Sequence, residues 1–394
     1  MHRFFDSSPI SPSGKYLAVF QIPFEAREPE PGEKGQVVIV DMETGKDRVI
    51  AESCGWEHQM GANINWGKDD HQLFFNDVDT ETWQPFAWKY DVVNDEKMRM
   101  EGTVYHASED GKWLISANMT TMRRTQPGYG VRIPQEMARW NKGPVDDDGF
   151  YLTDTETGRS KLLISIKEIL KKADPPAMFG EPEKLEIYGF HSKFNVQCDM
   201  MMLSLRAFKY GDEPQWDMFG KDYSEVLFAW VTVPLDASWV SCSTGPEQWI
   251  KGGHHGTWFP DGRRISMNLN IDREEHLRFV QVKYDGSDLC KITDKAWGSG
   301  HPTVHPDGKH ILTDTYTHEF LAFGDGTTPL RWVNIETGED KTLVRMNTQT
   351  NSSGGVLRVD PHPVWTRDWR YVTFNAFVDG TRKVFIADMS KLTS

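Results

Sequence analysis

One short turn recurs along this chain, and it restricts the fold more than any other feature. SPSGKYLAVF (11–20), SEDGKWLISA (108–117), FPDGRRISMN (259–268) and HPDGKHILTD (305–314) each set a polar, Gly-bearing turn before an alternating or β-branched run. Weaker copies are WGKDDHQLFF (66–75) and WTRDWRYVTF (365–374). Such a segment predicts a tight hairpin between antiparallel strands. A second signature follows each copy by roughly 25–45 residues, and its clearest forms are DMETGKDRVI (41–50), DTETGRSKLLI (154–164) and NIETGEDKTLV (334–344). Plainer versions lie at 88–98, 225–235, 280–292 and 383–392, giving seven outer hairpins. Seven inner hairpins pair with them once the degenerate NVQCDMMMLSL (195–205) is taken as the fourth.

Repeated antiparallel hairpins of this kind predict an all-β chain, a single seven-bladed β-propeller with four-stranded antiparallel blades. The expected blades span about 8–52, 61–100, 102–170, 183–244, 248–293, 297–346 and 353–394. The mean repeat of about 56 residues exceeds the roughly 40–45 of a plain blade. Insertions at 118–148, 165–183 and 207–224 account for the excess, and SIKEILKKA (165–173) reads as one short helix. Two β-sandwiches would need a break in composition near the middle, which the chain lacks.

Charge narrows the partners. With 44 basic and 58 acidic residues the net charge is −14, so the basic footprint of a nucleic-acid or anionic-membrane binder is missing. No apolar run approaches the roughly 20 residues of a membrane span. An acidic ligand would have to be met by a local cationic pocket or a metal ion. The four cysteines form no CxxC pair, which fits a reducing compartment better than a disulfide framework. The opening MHRFF has no secretory apolar core, so a cytoplasmic location is expected, or a secreted or periplasmic one if a leader has been removed. Oligomeric state leaves no mark on the sequence.

Three histidines stand in register. His255, His301 and His362 each lie six positions before the turn Asp of their hairpins, Asp261, Asp307 and Asp368. Equivalent positions of successive inner strands converge at one mouth of a propeller channel. Asp360 is two residues from His362, hence on the same strand face. Imidazoles and a carboxylate gathered this way suit a divalent ion such as Mn, Zn, Ni or Fe. A lone His at such a place more often caps a loop carbonyl, but three in register among 13 in the whole chain favour a site. His106 lies two residues beyond the matched position in the third blade, and His191 is near the expected height in the fourth. The third-blade insertion MRRTQPGYGVRIPQEMARW (122–140) supplies Tyr129 and Arg132, and Arg206 follows the inner strands of the fourth blade. These are candidate binding groups for an anionic ligand, because long loops at strand ends are where such residues accumulate.

The segments GGHHGTWFPDG (252–262), GHPTVHPDG (300–308) and DPHPVWTRDWRYVTFNAFVDGTRKVFIADM (360–389) resemble oligogalacturonate lyase, over about residues 245–394. That family is a cytoplasmic seven-bladed propeller that cleaves pectin fragments by β-elimination. The resemblance implies a Brønsted base at His255 and ligands for a manganese-type ion at His301 and His362, with calcium, zinc or nickel as alternatives. In the family a His-Pro-His pair and an upstream Gln complete the metal site. Asp360 replaces the first His here, and Leu357, which cannot ligate, stands at the Gln position. The opening RFFDSSPISPSGKYLAVFQIPFE (3–25) looks more like propellers acting on rhamnosyl-glucuronate ends, which include lyases and a glycosidase branch. On that reading His106 becomes the first candidate base.

The expected activity is thus metal-assisted elimination on an acidic oligosaccharide. Removing the proton beside a uronate carboxylate needs that charge neutralised by a metal or Arg, and a near-neutral base such as His. A hydrolase would need paired carboxylates, and the sequence nominates none. A non-catalytic binding propeller of the TolB-like kind accounts for the hairpins but not for the histidine register.

Overall fold

The computed structural model describes residues 1–177, 179–211, 225–249, 252–349 and 355–392. They form a seven-bladed β-propeller of antiparallel sheets. The two turn signatures explain why. In the inner hairpins Gly14, Gly111, Gly262 and Gly308 all have positive φ, between 63° and 77°. Each donates its N–H three residues back, to Ser11, Ser108, Phe259 or His305. A side chain is strained in that backbone region, so glycine recurs there. In the outer hairpins one side-chain oxygen of Asp41, Asp154 or Asn334 accepts the two following turn N–H groups. The repeated D/N-x-E-T-G is therefore an Asx turn that fixes the register of the outer strands.

Five blades have four strands and two have three, so the expectation of four throughout needs correction at the first and last. In the first blade (Tyr16–Gln21, Gly35–Asp41, Asp47–Ser53) the innermost position is a single bridge from Ile10 to Leu17. The last blade (Val364–Trp365, Tyr371–Val378, Thr381–Asp388) lacks an outer fourth strand among the described residues. Side chains fasten these two blades together. Arg382 pairs with Glu25 at 2.9 Å and donates to the carbonyls of His58 and Leu357. The expected helix is present as α2 (Ile166–Lys172), with a Ser165–Glu168 capping box. The third-blade insertion, expected as a loop, carries another helix, α1 (Met119–Thr125), capped by Asn118. The 207–224 insertion lies largely outside the described residues. No described helix is long and apolar enough to cross a membrane.

The channel is not empty. Residues 1–6 run into it, and His2, Arg3, Phe4 and Phe5 are buried. His2 N–H donates to Asn375, Arg3 to Asn63, and Asp6 pairs with Lys193 at 3.1 Å. Phe4 contacts the rings of His191, His255, His301 and His362. A segment that touches the inner strands of blades two, four, five, six and seven lies on the propeller axis. Burial alone would raise the Asp6 carboxyl; Arg3 and Lys193 bring it down to about 2, so the plug carries a formed ionic network.

Candidate functional site

The three register histidines converge as the hairpin alignment requires. One ligand atom each from His301, Asp360 and His362 lies within 4.8 Å of the others, and all three residues are buried. His301 donates Nδ1–H to Asp314 at 2.9 Å, while its Nε2 has no partner among the described residues. That is the second-sphere arrangement of a metal-ligating histidine, one nitrogen oriented by a carboxylate and the other free to bind. Neither ring nitrogen of His362 has a partner either, and its Nε2 lies 3.8 Å from Asp360 Oδ2. Leaving such nitrogens buried and unpaired costs about 1–3 kcal/mol each, a cost that ligation would remove. The donor set fits a divalent ion of the Mn or Zn kind. Leu357 contributes nothing to it, and Arg358 holds Asp360 through Nε and Nη2 at 2.9 and 2.8 Å.

His255 sits against this cluster, its ring stacked on His301 at 3.8 Å. Its backbone is in the left-handed region at φ 61°, and the pairing of Gly253–Trp258 with Arg264–Leu269 shifts register between His254 and Thr257. This bulge re-aims the side chain. It also brings His254 to the same cavity, although strict strand alternation would turn it away from its neighbour. The Gly300 carbonyl accepts from His255 Nδ1 at 2.7 Å, so that nitrogen carries the proton and Nε2 keeps its lone pair. The Tyr316 hydroxyl donates to Nε2 at 3.2 Å. Burial, reinforced by His301 and His254, pushes the imidazole well below its usual pKa, so it is neutral at pH 7. Burial likewise pushes the Tyr316 phenol well above its usual value, keeping it a donor.

A cavity of about 1100 Å³ opens over His255, Asp360 and Tyr316. Phe228, Trp230 and Trp249 form one aromatic wall, and Arg206, Arg358 and Glu319 bring charge to it. Of the expected binding residues, Tyr129, His191 and Arg206 line this cavity. Arg206 also donates to the Thr125 carbonyl and to Gln126, which ties it to the end of α1. His191 accepts from or donates to the Tyr105 hydroxyl and is held neutral by burial.

Two expected residues are placed elsewhere. Arg132 pairs with Glu28 at 3.1 Å and Glu57 at 3.7 Å, so its charge is already countered and it does not line the cavity. His106 donates Nε2–H to the Asp6 carbonyl and accepts from Phe194 N–H at Nδ1. Both nitrogens are occupied, and burial lowers the group to about 4. It anchors the axial plug and has no lone pair to offer a substrate.

The sequence reading missed Asp314, Tyr316, Glu319, Arg358 and Phe4. Asp314 and Tyr316 follow the inner strand His310–Thr313 two residues apart, a period-two signal just beyond the strand end. Phe4 lies outside every repeat and left no signal. Glu319 gives the cavity a second carboxylate beside Asp360, but it already accepts from Thr315, Tyr316 N–H and Ser299.

No protein-family model matches the chain, and no curated protein sequence does. Solved structures do. An oligogalacturonate lyase from Vibrio parahaemolyticus superposes with a TM-score of 0.60 at 14% identity, covering 98% of this chain and 90% of that one. An oligogalacturonate lyase in complex with manganese gives 0.60 at 15% identity, over 98% and 89% of the two chains. The propeller domain of the trilobed protease from Pyrococcus furiosus gives 0.51 at 12% identity, over 98% and 96%. The likeness shows the fold. Propellers associated with lyase and with protease chemistry share it, so activity has to be argued from the cavity.

Proposed function

We propose that this chain is a metal-assisted lyase that cleaves uronate-containing oligosaccharides by β-elimination, with His255 as the base. The observation that carries this reading is the juxtaposition of a neutral imidazole of fixed tautomer with two buried histidines that keep unpartnered nitrogens and with the Asp360 carboxylate. His301, His362 and Asp360 would hold the ion, which when bound supplies positive charge beside the substrate carboxylate and so makes the adjacent C–H acidic. The Arg206 guanidinium adds to that charge at the cavity wall. His255 Nε2 takes the proton from the carbon next to the carboxylate. The electron pair released forms the C=C bond, and the glycosidic oxygen leaves from the β position with its bonding electrons. Tyr316 delivers a proton to that oxygen and recovers one from the imidazolium across their 3.2 Å contact, so both residues return to their starting states. The buried Phe4 packs beneath the histidines on the channel side of the cluster.

The rhamnosyl-glucuronate alternative puts the base at His106, which does not line the cavity, whereas His255 does; this favours His255. Incubation of the metal-loaded protein with oligogalacturonate and with rhamnosyl-glucuronate glycans tests the reading. New ultraviolet absorbance of an unsaturated uronate is expected. Reducing ends without that absorbance would mean hydrolysis, and glycan binding without either product would mean a binding propeller.

A further inference from the structure

A second feature borders the cavity without lining it. Phe320, in the loop between His310–Thr313 and Thr327–Asn334, stacks on His276 at 3.8 Å and 18°. His276 belongs to the neighbouring blade, just before Arg278–Lys283. Trp297 meets His276 edge-on at 5.3 Å and Phe320 at 6.2 Å, and the Arg278 guanidinium covers Trp297 at 3.4 Å. The chain neighbours of the stacked pair, Leu277 and Glu319, both line the cavity. The stack therefore bridges two blades at the cavity rim. Phe320 nevertheless remains 52% exposed. With one face on His276 and an edge at Trp297, its open face is turned to solvent. Phe320 is thus held by two aromatic neighbours and keeps a ring face open beside the cavity.

We infer that the Phe320–His276 stack is an outer sugar-binding subsite, which takes the C–H face of a pyranose ring belonging to the same glycan but lying outside the cavity. The inference rests on the acidic-oligosaccharide reading above and extends it, since it makes the protein prefer longer chains. Two features support a ring of this kind. The cavity reaches Leu277 and Glu319, the chain neighbours of the stack, so a glycan bound there and extended past them meets the Phe320 face. A rigid aromatic face also recognises an extended apolar surface without a charged partner, which suits the carbohydrate ring rather than its carboxylate.

The test is kcat/KM for oligogalacturonates from dimer to hexamer, with wild type and the variants Phe320→Ala, Phe320→Leu and Phe320→Trp. Phe320→Ala is expected to leave the dimer unchanged and to lower the longest substrates by about 2- to 12-fold, the range of one aromatic stacking contact. Phe320→Trp should keep the length preference and Phe320→Leu should lose it, which separates ring stacking from mere apolar contact. Equal ratios of variant to wild type at every length would overturn the subsite while leaving the lyase reading intact. A wild-type protein that turns over no member of the series would overturn both.

Discussion

Replacing Phe4 by alanine examines how the site is supported from below. The ring is fully buried, with centroids 4.6 Å from His191, 4.8 Å from His362, 5.5 Å from His301 and 5.7 Å from His255. Lys193 Nζ also lies over it, at 4.8 Å. Truncation removes the transfer free energy of a buried aromatic and leaves a void walled by imidazoles, which are fixed by their own blades and cannot collapse inward. A Phe→Ala change at such a site costs about 3–5 kcal/mol. That is a large part of the roughly 5–15 kcal/mol that holds a domain folded. Denaturant unfolding with fluorescence detection reads the loss directly, through a shift in midpoint at unchanged slope. Phe4→Leu fills more of the void and should lose less than half as much. A Phe4→Ala cost under about 1 kcal/mol would refute the reasoning, because it would mean that residues 1–6 are not seated on the propeller axis.

Four other outcomes follow from the same geometry. His255→Ala should lower turnover by about 10²–10⁴-fold while leaving bound metal intact, as measured by activity beside elemental analysis; loss of metal would move His255 into the ligand set. Divalent ion at about 100 times its dissociation constant should stabilise the wild type by about 2.7 kcal/mol, and His301→Ala or His362→Ala should abolish that shift in thermal unfolding. His106 is held near pKa 4 in the fold against 6.5 when free, so it takes up a proton on unfolding at mildly acidic pH. Its contribution to stability is complete above pH 6.5 and falls by about 2 kcal/mol between pH 7 and pH 5, and His106→Gln should remove that share of the slope while the other buried histidines keep theirs. Arg382→Ala removes the guanidinium from Glu25 and leaves two carbonyls without that donor between the first and last blades, so it should lower the unfolding midpoint more than Arg370→Ala, whose contact with Asp388 is exposed.

What could be read from sequence divides along a physical line. Features repeated in several blades were legible, because repetition separates a structural demand from chance. The glycine that must take positive φ, the Asx oxygen that closes the outer turn, and the histidine six residues before the turn all belong to this class. Features made by a single contact between distant segments were not legible. Arg132 carries the composition of an anion-binding residue, yet its charge is spent on Glu28, 104 residues away. His106 has nearly the right register, yet a backbone carbonyl from the plug and an N–H from the next blade occupy both nitrogens. Strand alternation itself failed at His254 and His255, where a bulge replaces it and turns both rings to the cavity.

That failure is informative about the chemistry. A regular strand would have delivered one imidazole to the cavity and put the other in the sheet face. The left-handed backbone at His255, and again at His362, places two non-glycine residues in a strained conformation at the point where base and metal ligand meet. Strain of this kind persists when surrounding contacts fix it, and here they are the Gly300 carbonyl on His255 and the Phe4 ring against both imidazoles. The axial plug thus supports both imidazoles, and the inner-strand bulge aims one of them, His255. The unrepeated part of the sequence sets the geometry that the repeated part only brings within reach.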